Sequence, residues 1–185
     1  AVNNVLDPTL NSVSPTNGVR VDAVAPTITG VQVPANGSYT AGDELRISLT
    51  FSENLAVAGP GTPRIALTVG TDTRYAEYLA SDSTSSTLVF SYTVQTDEND
   101  ADGISVGALT LNGGNIADAA GNNADLSFSP ADTSGVIVDA LAPEISSVSV
   151  PADGTYGAGE ALTFTVNTNE DVTVSGTPEL ALTVG

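Results

Sequence analysis

The stretch ELRISLTF, residues 44–51, alternates apolar and polar side chains over its whole length. Leu45, Ile47, Leu49 and Phe51 share one face of an extended chain, because successive side chains of a strand point to opposite sides of its sheet. This period of two predicts a half-buried β-strand. Similar runs follow one another between Gly, Pro, Asn and Asp residues: ITGVQV, PRIALTV, RYAEYL, STLVFSYTV, VGALTL, ADLSF and GVIV.

The spacing of these runs indicates the fold class. No window carries a helical period, and seven or eight short strands within about 110 residues are typical of an immunoglobulin-like β-sandwich. The sequence therefore predicts an all-β protein made of immunoglobulin-like β-sandwich modules.

The chain also contains an internal repeat. The segment VDAVAPTITGVQVP, which begins at Val21, returns as VDALAPEISSVSVP, which begins at Val138, 117 residues later. A period of this length fits a whole globular domain better than a solenoid unit, so it predicts modules in tandem. We expect residues 1–22 to be the tail of a preceding module, residues 23–139 a complete module, and residues 140–185 the N-terminal part of the next.

The composition excludes several classes of function. The 185 residues carry a net charge of −18 and include four basic residues, all Arg, and no Cys, His, Met or Trp. Nucleophilic systems that need His or Cys, and sites that need Lys, are therefore excluded, and we predict that the protein is not an enzyme. The negative field repels nucleic acid and anionic lipid, and no apolar run is long enough for membrane insertion.

Four motifs in this order carry a resemblance: VDA-x-AP, Tyr-x-AGD/E, YTVQ-x-D-x-ND-ADGIS and DAAGN. Together they resemble the bacterial immunoglobulin-like repeats of very large secreted adhesins, including the extender regions of repeats-in-toxin and biofilm-associated surface proteins. The resemblance implies an extracellular stalk whose partners are adjacent modules of the same type and which Ca²⁺ stiffens near module junctions. The alternative function is a ligand-recognition module for a surface glycan or ice, because a fold does not fix a function.

The stretch TDENDADG, residues 96–103, is the most acidic part of the chain and has no Lys or Arg nearby in sequence. Its alternating acids before Gly103 reproduce the opening of an EF-hand loop, but Leu109 in the twelfth position excludes a true EF-hand. Two interpretations stay open, a solvated acidic loop and a Ca²⁺-binding turn completed by a distant ligand. The candidate ligands are Asp97, Glu98, Asp100 and Asp102.

A second set of acids is expected to converge at the module junction. In a sandwich, the loop after the second strand and the loop before the last strand lie at the same end, close to the handover between modules. An Asx-turn at Asp118 and a solvated acid at Glu53 are the alternatives to a metal site. The candidate Ca²⁺ ligands are Asp22 and its counterpart Asp139, Glu53 and its counterpart Glu170, and Asp118 and Asn122 of the turn IADAAGNN.

Residues 140–185 contain only the strands that match those of the complete module from Ile28 to Val69. Few strands with one apolar face are marginally stable in water and tend to pair with other strands. If the natural chain stops at Gly185, we expect strand exchange with another molecule or a permuted sandwich. The alternative is that these residues belong to a longer chain.

Overall fold

The computed structural model describes residues 20–183, which form β-strands and no helix, and hence no helix able to cross a membrane. The tail predicted for residues 1–22 lies outside the described residues except for residues 20–22. The all-β prediction is confirmed. The strands are β1 Ile28–Gln32, β2 Gly37–Tyr39, β3 Glu44–Phe51, β4 Ala56–Ala58, β5 Arg64–Val69, β6 Asp72–Tyr78, β7 Thr87–Thr93, β8 Asn99–Asp100, β9 Ser105–Thr110, β10 Asn115–Ala117, β11 Val136–Asp139, β12 Ile145–Ser149 and β13 Thr165–Thr168.

One large sheet organises the first copy of the repeat. Its six strands lie in the order β1-β3-β7-β6-β5-β9, and every neighbouring pair is antiparallel. A three-stranded sheet, β2-β11-β8, and a two-stranded sheet, β4-β10, complete this part of the chain. The parallel pairing of β2 with β11 joins the beginning of the copy to its end.

Strand β3 has the alternation that its sequence predicts. Leu45, Ile47 and Leu49 are fully buried and Phe51 nearly so, whereas Arg46 is exposed. Ile47, Leu49 and Phe51 belong to the larger apolar cluster, together with Ile65, Leu67, Leu88 and Phe90 among others. Leu45 instead belongs to a second cluster with Val69, Val94, Ile104, Val136 and Val138. This single strand therefore contributes to both cores.

One predicted strand does not form. The run ADLSF, residues 124–128, makes one isolated bridge, at Asp125, and Asn123 just before the run makes another. Ala124, Leu126 and Phe128 still pack against the larger cluster, so the alternation correctly identified a core-facing segment. Continuous pairing is interrupted where the Ser127 N–H donates at 2.9 Å to the Asp125 carboxylate and not to a neighbouring strand.

The two copies of the repeat give a matched test of this core. Leu49→Ala is expected to lower the free energy of unfolding by about 2–5 kcal/mol, because it removes a fully buried side chain and leaves a cavity. Its counterpart Val166 is 48% exposed, so Val166→Ala is expected to have almost no effect. Urea denaturation followed by circular dichroism measures both variants. Equal losses in the two variants would contradict this assignment of the core.

Candidate metal centre

Three carboxylates from separate parts of the chain meet beside β1. Asp22 precedes β1, Glu53 follows β3, and Asp118 follows β10. One oxygen from each lies within 4.8 Å of the other two. Asp118 is buried, Glu53 is half-buried and Asp22 is exposed, so the group opens to solvent on one side only. The sequence placed these three residues in one set, and the structure brings them together.

Main-chain hydrogen bonds hold the segment before β1 in this position. The Asp125 N–H donates to the Pro26 carbonyl at 2.8 Å. The Thr27 N–H donates to the Ser52 hydroxyl at 3.0 Å, and the Ser52 N–H donates back to the Thr27 carbonyl at 2.9 Å. Since Ser52 precedes Glu53 and Asp125 follows the turn of Asp118, the same contacts bring all three acids to one place.

Asp118 and Asn122 close their turn by hydrogen bonds to each other. The Asn122 N–H donates to Asp118 Oδ1 at 2.8 Å, and the Asp118 N–H donates to the Asn122 carbonyl at 3.1 Å. Asn122 Nδ2 donates to Asp118 Oδ2 at 2.7 Å and to the Asp22 carbonyl at 3.3 Å. Asn122 thus directs its amide nitrogen, and not the oxygen expected of a ligand, towards this group. The carboxylate of Asp118 still faces Asp22 and Glu53.

The surroundings of Glu53 and Asp118 shift the pKa values of these two carboxyls in opposite directions. Burial raises the pKa of the Glu53 carboxyl, and the neighbouring charges of Asp22 and Asp118 raise it further. The hydrogen bond from the Asn122 side chain, with main-chain N–H groups of the turn, lowers the pKa of Asp118. Among residues 20–183, the ion pairs are made by Arg46, Arg64 and Arg74, and none includes an acid of this group. Within the described residues, no basic side chain therefore compensates the negative charge of this group.

The spacing suits a hard divalent cation. Ca²⁺ binds oxygen at about 2.3–2.6 Å, so two oxygens on one ion are at most about 5 Å apart. The three carboxylate oxygens satisfy this limit. Ca²⁺ requires six to eight oxygens in all, which carbonyl groups and water commonly complete. The donor set therefore fits Ca²⁺, with Asp22, Glu53 and Asp118 as the residues that would hold it.

The counterparts in the second copy are only partly assembled. Asp139 is exposed at the end of β11, and Glu170 is half-buried after β13. Glu170 Oε1 is shielded from solvent and has no hydrogen-bond partner among the described residues. Within residues 20–183 neither acid belongs to a group of three, and the position that would match Asp118 falls beyond residue 185.

The acidic loop has a different character from that of the junction group. Glu98 is only 6% exposed and forms an ion pair with Arg74. It also accepts from the Tyr92 hydroxyl at 2.6 Å and from the Gln95 N–H at 2.9 Å. Despite the cost of burial, these donors lower the pKa of Glu98, while burial and the bond to Glu98 raise the pKa of Tyr92 to about 12. An arginine that is distant in sequence therefore neutralises one acid of this loop.

The other acids of the loop differ in burial and do not share contacts. Asp100 is buried and its Oδ2 accepts from the Gly70 N–H at 2.7 Å, whereas Asp97 and Asp102 are exposed. No three of the loop acids bring oxygens within 4.8 Å of one another in the described structure. Gly103 has a φ of 95°, and a Cβ there would lie 2.5 Å from the backbone of Ser134. Close packing therefore explains this glycine without a metal.

The loop holds the end of the last strand of the first copy. The Asp97 N–H donates to the Ala140 carbonyl at 3.0 Å, and the Ala140 N–H donates to the Glu98 carbonyl at 2.8 Å. Strand β8 inside the loop pairs with Val138 and Asp139 of β11. Sequence reasoning missed Arg74, Tyr92 and Gly70 as partners of this loop. The only available signal was the scarcity of basic residues, which made Arg74 a candidate partner for one of many acids.

Comparison of the chain with family models, curated proteins and solved structures found no match.

Removing the charge of Glu98 tests the structural role of the loop. Glu98→Gln is expected to lower the free energy of unfolding by about 1–3 kcal/mol, because Arg74, Tyr92 and the Gln95 N–H lose a shared charged acceptor. Urea denaturation measures the loss. Asp97→Asn serves as the control, because Asp97 is exposed. Its φ of 66° is one that Asn also adopts. Equal stability of Glu98→Gln and the wild type would contradict this role.

Proposed function

We propose that residues 23–139 are an immunoglobulin-like sandwich module of an extracellular adhesin stalk, and that Ca²⁺ at the junction with the preceding segment stiffens the stalk. The observation that carries the proposal is the meeting of Asp22 with Glu53 and Asp118. One of these acids belongs to the segment that enters the module, and the other two belong to the module itself. A cation bound to all three joins the connecting segment to the module body.

The function of such a site is mechanical. Without a cation, three carboxylates repel one another and weaken the docking of the segment before β1. With Ca²⁺ bound, the repulsion becomes attraction through the ion, and the direction of the segment is restricted. At a dissociation constant of ~10⁻⁴ M and ~1 mM free Ca²⁺, binding shifts the equilibrium towards the docked segment by about tenfold. A shift of this size restrains a hinge without being the main source of fold stability.

The strand arrangement supports the sandwich in this proposal. The six-stranded sheet supplies most of the larger apolar cluster, which Ile116 of β10 and half-buried Val57 of β4 also join. Strands β3 and β11 contribute together to the second cluster. Strands of the large sheet and of the smaller ones thus contribute to shared apolar clusters, which supports a sandwich.

The alternative, recognition of a glycan or ice, has less support. On the exposed face of the large sheet, strand pairing aligns Arg46, Ser91, Glu77 and Arg64 in one row across four strands. Charged side chains in this row interrupt any regular array of threonines. The ring of Tyr75, an aromatic group that a sugar would stack on, is covered by the Arg64 guanidinium at 3.8 Å. The composition also gives no support to an enzyme or to a nucleic-acid partner.

Residues 20–139 followed directly by a second copy of residues 23–139 test the junction. In this chain, Asp139 of the first copy precedes the second module as Asp22 does in the natural sequence. We expect Ca²⁺ to lengthen and narrow the distribution of molecular dimensions in small-angle X-ray scattering, and Mg²⁺ to do so less because it demands a stricter geometry. Asp139→Asn in the first copy is expected to remove the effect, and Asp102→Asn, which changes an exposed loop acid, is expected to retain it. A Ca²⁺ response that survives Asp139→Asn but is lost with Asp102→Asn would contradict the proposal.

The raised pKa of Glu53 predicts two opposite effects of pH. Acidification is expected to favour the fold of the cation-free protein and to weaken the binding of Ca²⁺. Without a cation, the folded protein holds the Glu53 proton more tightly than the unfolded chain does, so this residue stabilises the fold at low pH and loses that effect as pH rises through its raised pKa. Ca²⁺ requires the ionised form, so its affinity is expected to fall on acidification before the usual glutamic acid range near pH 4.3 is reached. Calorimetric titrations at several pH values measure this. Glu53→Gln is expected to bind Ca²⁺ more weakly and to lose this step, and an unchanged pH profile in that variant would exclude Glu53 as the titrating group.

A further inference from the structure

The second copy reproduces the local structure of the first wherever its own residues suffice. Strands β12 and β13 pair in the register of β1 and β3, 117 residues further along, and even the irregularity in the ladder falls at the matching position. The Tyr156 hydroxyl donates to the Ala152 carbonyl at 2.6 Å, as Tyr39 does to Ala35 at 2.9 Å. The pairing that corresponds to β1 with the second half of β3 therefore forms without the later part of the repeat.

The other strands of the repeat do not form in the second copy. In the first copy, β2 pairs with β11, β4 pairs with β10, and β5 pairs with β6 and β9. All of these partners lie within residues 72–139. The matching segments of residues 140–183 are not strands. The strands that do not form in the second copy are thus those whose partners, in the first copy, lie in the block of residues 72–139.

The apolar face that such a block covers is open in the second copy. Leu162, Val166, Leu180 and Leu182 are each about half exposed, at 44–54%, whereas their counterparts Leu45, Leu49, Ile65 and Leu67 are 0–1% exposed. An open cavity of about 480 Å³ lies on this face, lined by Ile145, Val166, Val172, Val174 and Leu180, with Glu179 at its side. In the first copy, Leu88 and Phe90 of β7 lie beside β3 and belong to the same apolar cluster as Leu49, Ile65 and Leu67.

One substitution changes the charge of this surface. Arg64 of the first copy pairs across the strands with Glu77 of β6, and its Nη1 lies 3.9 Å from Glu77 Oε1. Glu179 occupies the position of Arg64 in the second copy. A block identical to residues 72–139 would therefore place Glu77 opposite Glu179, and like charges directly across a ladder are destabilising.

We propose that residues 140–183 form an acceptor surface for a strand block of a further repeat of this kind, with the apolar pattern of residues 72–139 and a basic residue in the position of Glu77. Glu179 selects for that basic residue and against the block of the first copy. The apolar face supplies the affinity, because it is the surface buried in the first copy, and the charged position supplies the specificity. The inference requires no Ca²⁺, so its test in a metal-free buffer is independent of the junction proposal.

The test extends the full 185-residue chain after Gly185 with a second copy of residues 71–139. The appended block is used unchanged, with E77K, and with Phe90→Asp as a control that disrupts its apolar face. Hydrogen exchange of residues 162–182 in EDTA is the main measurement, with thermal unfolding beside it. We expect weak protection without the appended block, protection with it, and a further gain of about fivefold in the folding equilibrium constant of the completed module with E77K.

A charge-exchange cycle isolates the role of Glu179. E179R is expected to improve completion by the unchanged block about as much as E77K does, and to cancel the benefit when combined with E77K. Equal stability of all four charge combinations would overturn the selection by Glu179. Residues 162–182 that stay unprotected with the unchanged and E77K blocks would overturn the acceptor surface. Protection of the unextended chain that rises with protein concentration would identify a second copy of the chain as the occupant and would also overturn the proposal.

Discussion

The pairing of β3 along both of its edges is the interaction on which the first copy depends. Its hydrogen bonds to β1 on one side and to β7 on the other place four apolar side chains on one face, and that face reaches both apolar clusters. Full burial of side chains of this size contributes about 1.5–3 kcal/mol each, which is a large share of the net stability of a small domain. The second copy shows what happens when one of these two pairings is absent. Its β13 pairs with β12 alone, and its apolar face lies open.

The acids of the chain divide into two kinds according to what surrounds them. Glu98 and Asp100 are buried and accept hydrogen bonds from the protein, so their charge is part of the fold. Asp22, Glu53 and Asp118 face one another with no basic side chain in contact within the described residues. In a chain with a net charge of −18, the second kind of group attracts cations from solution. The more crowded acidic sequence is therefore the less suited of the two to a metal ion.

The two groups lie before β1 and after β11, at the two ends of the first copy of the repeat. Asn122 donates to the Asp22 carbonyl before β1, while the loop of Glu98 exchanges hydrogen bonds with Ala140, the residue after β11. In the proposed function, an array of this repeat has both groups near each connection between modules, because the residue after β11 is also the start of the next copy. The hydrogen bonds to Ala140 fix one side of the connection, and a cation would strengthen the docking of the other side. In the proposed function, the Ca²⁺ concentration therefore affects the stiffness of the segment before β1 and does not affect the hydrogen bonds to Ala140.

The sequence by itself determined the all-β class and the repeat of 117 residues. Both follow from local information: alternation depends on neighbouring residues, and a duplicated segment is visible by inspection. The sequence also proposed six ligands in one set, and the structure brings three of them together, Asp22, Glu53 and Asp118. Only the tertiary structure decided that Arg74 neutralises Glu98, that Asn122 presents its nitrogen, and that the run ADLSF is not a strand. These outcomes depend on partners far away in sequence, and in the case of Asn122 on the rotation of one amide. A strand forms only when another segment pairs with it. The residues next to a carboxylate in sequence do not indicate which donor the fold brings into contact with it.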